Sequence, residues 1–144
     1  MSDFISTYAS VVWVTLAYIG VYYAILLYGL FTKRRVARMC KENGEPFQRY
    51  SQRYPELLAA DRMQLNTLEH MPPFLVLLWL QATVVSPLSA TLLGAFYVVV
   101  RITYPFFLGR ELRRSFPLRV LYNTFTGYAI LSVMAGWQVW TLLA

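Results

Sequence analysis

Asp61-Arg62-Met63-Gln64-Leu65-Asn66-Thr67-Leu68-Glu69-His70-Met71-Pro72-Pro73-Phe74 mixes ionisable and amide side chains with apolar ones. It runs straight into Leu75-Val76-Leu77-Leu78-Trp79-Leu80. At about 100° per residue of helix, Arg62, Asn66 and Glu69 fall within an arc of about 60°, and Gln64 points roughly the opposite way. One helical face therefore carries a cation, an amide and a carboxylate just where the chain turns apolar. A membrane span needs roughly 20 apolar residues. Residues 68–85 are short for this, but the helical pattern extends backward through the polar stretch. Pro72 and Pro73 remove backbone donors, which predicts a kink nearby.

Three further apolar stretches, residues 8–31, 88–108 and 120–144, have the length of spanning helices. Barrel strands would instead alternate in shorter segments. Composition agrees: 58% of residues are apolar and 14% charged, against about 45–50% and 25% in soluble domains. Mean hydropathy is +0.45. A disordered chain, a coiled coil and an ordinary soluble enzyme are excluded. The 144 residues suit a single domain. The fold class predicted is an all-α membrane protein, a bundle of four transmembrane helices.

Of the 13 Lys and Arg, eight lie between residues 33 and 62. Arg110, Arg113, Arg114 and Arg119 form a second block, and Arg101 stands apart. With four spans, the first and third loops share a side. The positive-inside rule puts them in the cytoplasm and both termini opposite. The intervening loop, Ser86-Pro87-Leu88-Ser89, is uncharged. The basic pI is thus a topology signal rather than a nucleic-acid footprint. Residues 32–43 keep helical composition, Gly44 supplies a stop, residues 45–55 read as a polar loop, and Pro55 and Glu56 suit a first helical turn. The first span is too long for a cleavable signal peptide, and its positive charges follow it. One Cys excludes a disulfide framework, a C-x-x-C site and cysteine-ligated zinc, and one His excludes a multi-His metal centre.

In the third span, Tyr97, Arg101 and Tyr104 share a face. A charge there costs at least about 2.5–3.5 kcal/mol unless paired or hydrated. Glu69 is the other ionisable group with the right sign within the spans, so an Arg101–Glu69 pair is expected. Helix gluing accounts for such a pair as well as a ligand site does. Arg62 also suits snorkelling to the interface. His70 and Cys40 lack the partner set of a metal or nucleophile site. Asn66, an amide at the membrane entry, needs partners.

The run Arg62-x-Gln64-Leu65-Asn66-x-Leu68-Glu69-x-x-x-Pro73-Phe74 resembles the second helix of the MAPEG family, the membrane-associated proteins in eicosanoid and glutathione metabolism. Arg101 with Tyr104, and Pro117-x-Arg119, extend the resemblance over nearly the whole chain. It implies a homotrimer of four-helix subunits with glutathione between them, near the cytoplasmic membrane face. Arg62, Asn66, Glu69, Arg101 and Tyr104 would line that site, with His70 beside them, and Gln64 would reach a neighbouring site. Arg119 would activate the thiol, with Arg114 the runner-up. The family often has Tyr seven residues after the helix-three Arg, where this chain has Leu108.

Arginine forks suit the carboxylates of glutathione, and Glu69 suits its ammonium. A free thiol has a pKa of about 8.5, and lowering it by about 1.5 units takes roughly 2 kcal/mol of thiolate stabilisation. Arg110 and Arg113 sit in a hydrated loop. Arg119 starts helix four, where the helix terminus adds positive charge. The expected function is a glutathione transferase attacking hydrophobic electrophiles or lipids, with glutathione-dependent peroxidase activity as a companion. Membrane lipids are expected partners; neither a metal nor nucleic acid is. The alternative is a non-enzymatic lipid-binding scaffold of the same fold. A four-span multidrug exporter would carry an acid in its first span, and a quinone-linked disulfide enzyme would need a second Cys. This chain has neither.

Overall fold

The computed structural model describes residues 2–49, 51, 53–110 and 118–144. Four long helices follow one another: α1 (Ser2–Glu42), α2 (Pro55–Leu80), α3 (Pro87–Leu108) and α4 (Leu118–Leu143). A five-residue π-helical segment, Gln81–Val85, continues α2. No strand occurs among the described residues. α1, α2 with its π segment, and α3 are long and apolar enough to cross a membrane. α4 is a helix of 26 residues as expected. Asn123, Thr124, Thr126 and Gln138 dilute its apolar run, and it is absent from that set.

α1 has 41 residues, about 60 Å at 1.5 Å per residue, roughly twice the hydrocarbon thickness of a bilayer. Its basic end, from Lys33 onward, therefore stands outside the apolar layer. The helix stops where the sequence pattern puts the stop. Gly44 takes φ +68°, and its N–H donates to the Lys41 carbonyl at 3.2 Å while that of Glu45 donates to Cys40 at 2.8 Å. These bonds use carbonyls the helix end would leave orphaned. The loop beyond is tied down by charge. Asp61 takes Lys33 at 2.9 Å and Arg49 at 3.3 Å. Arg53 donates to Glu45 at 2.8 Å.

α2 begins at Pro55 and stays α-helical through Pro72 and Pro73. The departure from α geometry comes later, at Gln81–Val85, where Ser86 N–H donates five residues back to Gln81 at 2.9 Å. The connection to α3 is shorter than the expected four-residue loop. Ser86 alone is extended, its hydroxyl accepts from Ser89 N–H at 3.1 Å, and Pro87 already occupies the first turn. At this end Gln138 of α4 donates to the Leu77 carbonyl (2.8 Å) and to Gln81 Oε1 (3.2 Å). Gln81 in turn donates to Ser89 at 3.1 Å.

α3 is the central element, packing on α1, α2 and α4, while α2 also meets α1 and α4. The main core joins Val11, Val14 and Tyr18 of α1 to Phe74 and Leu78 of α2, Tyr97 of α3 and Met134 of α4. Gly94 permits the closest approach. A Cβ there would lie 2.6 Å from Leu78 Cδ1 and 2.8 Å from Val14 Cγ1. Small residues serve this purpose between membrane helices, where lipid is as apolar as the side chains and packing must supply the attraction.

Candidate functional site

The face shared by Tyr97, Arg101 and Tyr104 turns inward, and all three side chains are buried. Arg101 has no accessible surface. Its Nη1 donates to Asn66 Oδ1 of α2 at 3.0 Å. The guanidinium carbon lies 5.4 Å from the Tyr97 ring centroid and 5.5 Å from that of Tyr104, so two aromatic faces share the cation. Gly127 of α4 completes the enclosure, since a Cβ there would come within 3.0 Å of Nη2. Among the described residues Nε and Nη2 have no hydrogen-bond partner.

The expected Arg101–Glu69 pair is not formed. Glu69 is exposed, and among the described residues it makes no salt bridge. The reason is the position of the arc on α2. Asn66 and Glu69 are three residues apart, about 60° around the helix. The boundary between the packed face and the outer face falls between them. Asn66 reaches Arg101, and Glu69 is turned outward. Arg62, also exposed, engages the Tyr104 hydroxyl, with Glu69 in electrostatic range. The α2–α3 seam is therefore layered, with Arg101 and Asn66 sealed inside and Arg62 and Glu69 at the outer edge over Tyr104.

His70 is buried beside this seam. Its Nδ1 shares a hydrogen bond of 2.8 Å with the Tyr97 hydroxyl, and its ring lies 4.8 Å from that of Tyr128. Its Nε2 has no hydrogen-bond partner among the described residues. Gln64 is on the other side of α2, its Oε1 3.9 Å from where a Cβ on Gly29 of α1 would sit. Arg119 is exposed in the first turn of α4. Arg114, with Arg113 and Pro117, lies outside the described residues. Leu108 is buried, packed with Ile25, Met63, Tyr104 and Val120. Cys40 is buried as well, and its thiol donates to the Tyr54 hydroxyl at 3.2 Å. The Tyr54 hydroxyl in turn donates to Glu45 at 3.2 Å.

Helix α4 contributes more than the sequence reading assigned it. Asn123 donates to the Val100 carbonyl at 3.0 Å and to Thr103 at 2.8 Å, holding α3 next to Arg101. The signal was present in the spacing. Val120, Asn123, Gly127, Ile130, Met134 and Gln138 are the buried stripe, at the three- and four-residue intervals of one helical face.

Helices of spanning length, with a cation enclosed between them by an amide and two aromatic rings, define an integral membrane protein with a polar seam in its apolar layer. The model of the MAPEG family matches residues 9–140 of the chain. The protein belongs to that family, which is membrane-associated, serves glutathione and eicosanoid metabolism, and includes both glutathione transferases and members of other function. Among curated proteins, none matches the chain.

Proposed function

We propose that the protein is a membrane-embedded glutathione transferase, working as a homotrimer whose glutathione sites lie where subunits meet. The observation that carries this reading is the layered seam of α2 and α3. Among the described residues Arg101 has an amide acceptor but no carboxylate, and two of its nitrogens have no hydrogen-bond partner. Glu69 is a carboxylate on an outer face, and among the described residues no cation is in salt-bridge geometry with it. A ligand with carboxylates and an ammonium, or a neighbouring subunit, would meet the outer layer of Arg62 and Glu69, with the enclosed Arg101 adding positive charge from behind. Arg62, Asn66, Glu69, Arg101, Tyr104 and His70 form or support the glutathione site, and Gln64 on the opposite face of α2 suits a neighbouring one.

Arg119, at the positive end of α4, stabilises the glutathione thiolate. The sulfur lone pair attacks an electron-poor carbon of a lipophilic substrate, forming the C–S bond. The displaced electron pair leaves with the departing group, or the adduct takes up a proton. The same thiolate suits hydroperoxide reduction. The enclosure of Arg101 favours one other reading, a lipid-binding scaffold in which the seam is architecture alone. Isothermal titration with glutathione in detergent, followed by a conjugation assay on a hydrophobic electrophile, separates them. Heat of binding and turnover support the transferase, and silence in both leaves the scaffold.

A further inference from the structure

A cavity of about 540 Å³ opens between α1 and α3, in the size range of small-ligand sites. Its walls are apolar, with Val21, Ala24 and Ile25 from α1 and Ile102, Pro105 and Phe106 from α3. Tyr28 and Arg110 also line it. Around α3, these wall positions sit roughly 120° from the Tyr97, Arg101 and Tyr104 face. The groove therefore opens on a different face of α3 from the polar seam, with Met63 of α2, which lines the groove and packs with Tyr104, standing between the two.

The mouth of the groove is basic. Arg110 lies at the end of α3 nearest the basic extension of α1. On α1, Val21, Tyr28 and Arg35 recur at seven-residue intervals and so share one face. Arg35 is about 10 Å beyond Tyr28 along the axis, and a helical side chain leans toward its own N-terminus, here toward the groove. Arg35 and Arg110 are both exposed. Among the described residues neither forms a salt bridge, whereas Lys33, Arg49 and Arg53 are engaged by Asp61 and Glu45. An apolar slot within the membrane with two uncommitted arginines at its rim matches a lipid tail under an anionic head group.

We propose that this groove binds one anionic phospholipid from the leaflet on the side of residues 33–62, its acyl chain between α1 and α3 and its phosphate held by Arg35 and Arg110. Native mass spectrometry of the purified full-length protein, titrated with phosphatidylglycerol or phosphatidylcholine of identical chains, tests it. Phosphatidylglycerol should be retained preferentially. Arg35→Ala and Arg110→Ala should each weaken its retention about fivefold, and the double variant about 25-fold. These exposed positions leave the packing intact, which thermal unfolding verifies. Ala24→Trp fills the slot and should abolish retention without changing oligomeric state. Equal retention of the two lipids, or full retention by the double arginine variant, would overturn the proposal. So would displacement of the lipid by inorganic phosphate alone, which marks a free-anion site, and so would dissociation of the oligomer by Ala24→Trp, which marks a subunit contact.

Discussion

Arg101 Nη1 and Asn66 Oδ1, 3.0 Å apart, form the hydrogen bond that joins α3 to α2 inside the apolar layer. The bond unites a buried cation with a neutral amide, so breaking it leaves the cation with two ring faces and no acceptor. Hydrogen bonds to charged groups contribute about 1.5–3 kcal/mol. Asn66→Leu should therefore destabilise the protein by about 2–3 kcal/mol in detergent unfolding. Arg101→Leu combined with Asn66→Leu should cost clearly less than the sum of the singles. Glu69→Gln should be close to neutral and should not couple to Arg101→Leu. Strong coupling between positions 69 and 101 would restore the ion pair first expected.

Gly94 gives a packing test with an internal control. Its added Cβ meets Leu78 and Val14 below 3 Å, while a Cβ at Gly20 meets nothing within 4 Å. Overpacking typically costs about 1–3 kcal/mol. Ala in place of Gly within a helix gains about 0.5–1 kcal/mol. Gly94→Ala should lower the melting temperature and Gly20→Ala should hold or raise it. Leu78 is fully buried, so Leu78→Ala is costly by itself, but combined with Gly94→Ala it should cost less than the sum of the two singles, because the added methyl occupies part of the space vacated.

The Arg119→Ala variant should bind glutathione with little change, since the carboxylate contacts are assigned to other residues, yet lose conjugation. If the thiol pKa rises by about 1.5 units, from about 7 to the free value of about 8.5, the thiolate fraction at pH 7 falls roughly 16-fold. Ultraviolet difference absorbance of the bound thiolate should fall in step. Full thiolate signal in Arg119→Ala, with its loss in Arg114→Ala, would move the role to Arg114.

Sidedness is measurable by thiol labelling, but not at the native Cys40. That thiol is buried and bonded to Tyr54, so it should react slowly with impermeant maleimide from either side. In a Cys40→Ser background, Gln48→Cys, an exposed loop position, should label quickly once the cytoplasmic side is opened and not before. Rapid labelling in sealed, outward-oriented cells would reverse the charge-based topology.

Much of this architecture is readable in the chain because the physics is local. Apolar length set the helices, Gly44 and Pro55 bounded the first loop, and a shared face grouped Tyr97, Arg101 and Tyr104. Rotation about α2 was not readable. An arc of about 60° fits Asn66 inside with Glu69 outside as well as the reverse, and only packing against α3 decides. The π segment escaped for a similar reason, since Gln81–Val85 has no composition that separates it from α-helix. Asn123 belongs to the buried stripe of α4, but a single amide among apolar residues does not reveal which neighbouring helix it bonds.

The unbroken length of α1 turns membrane thickness into motion. Transmembrane helices tilt by about 20° on average, and more in thinner bilayers. Pivoting near Gly20, the far end of α1 lies about 33 Å away and would sweep roughly 10 Å sideways under such a tilt. No loop intervenes in Ser2–Glu42 to absorb the swing, and Lys33 is clamped to Asp61, the residue just before Arg62 of the seam. A lipid environment that changed the tilt of α1 would therefore pull on the entrance of α2 through that ion pair.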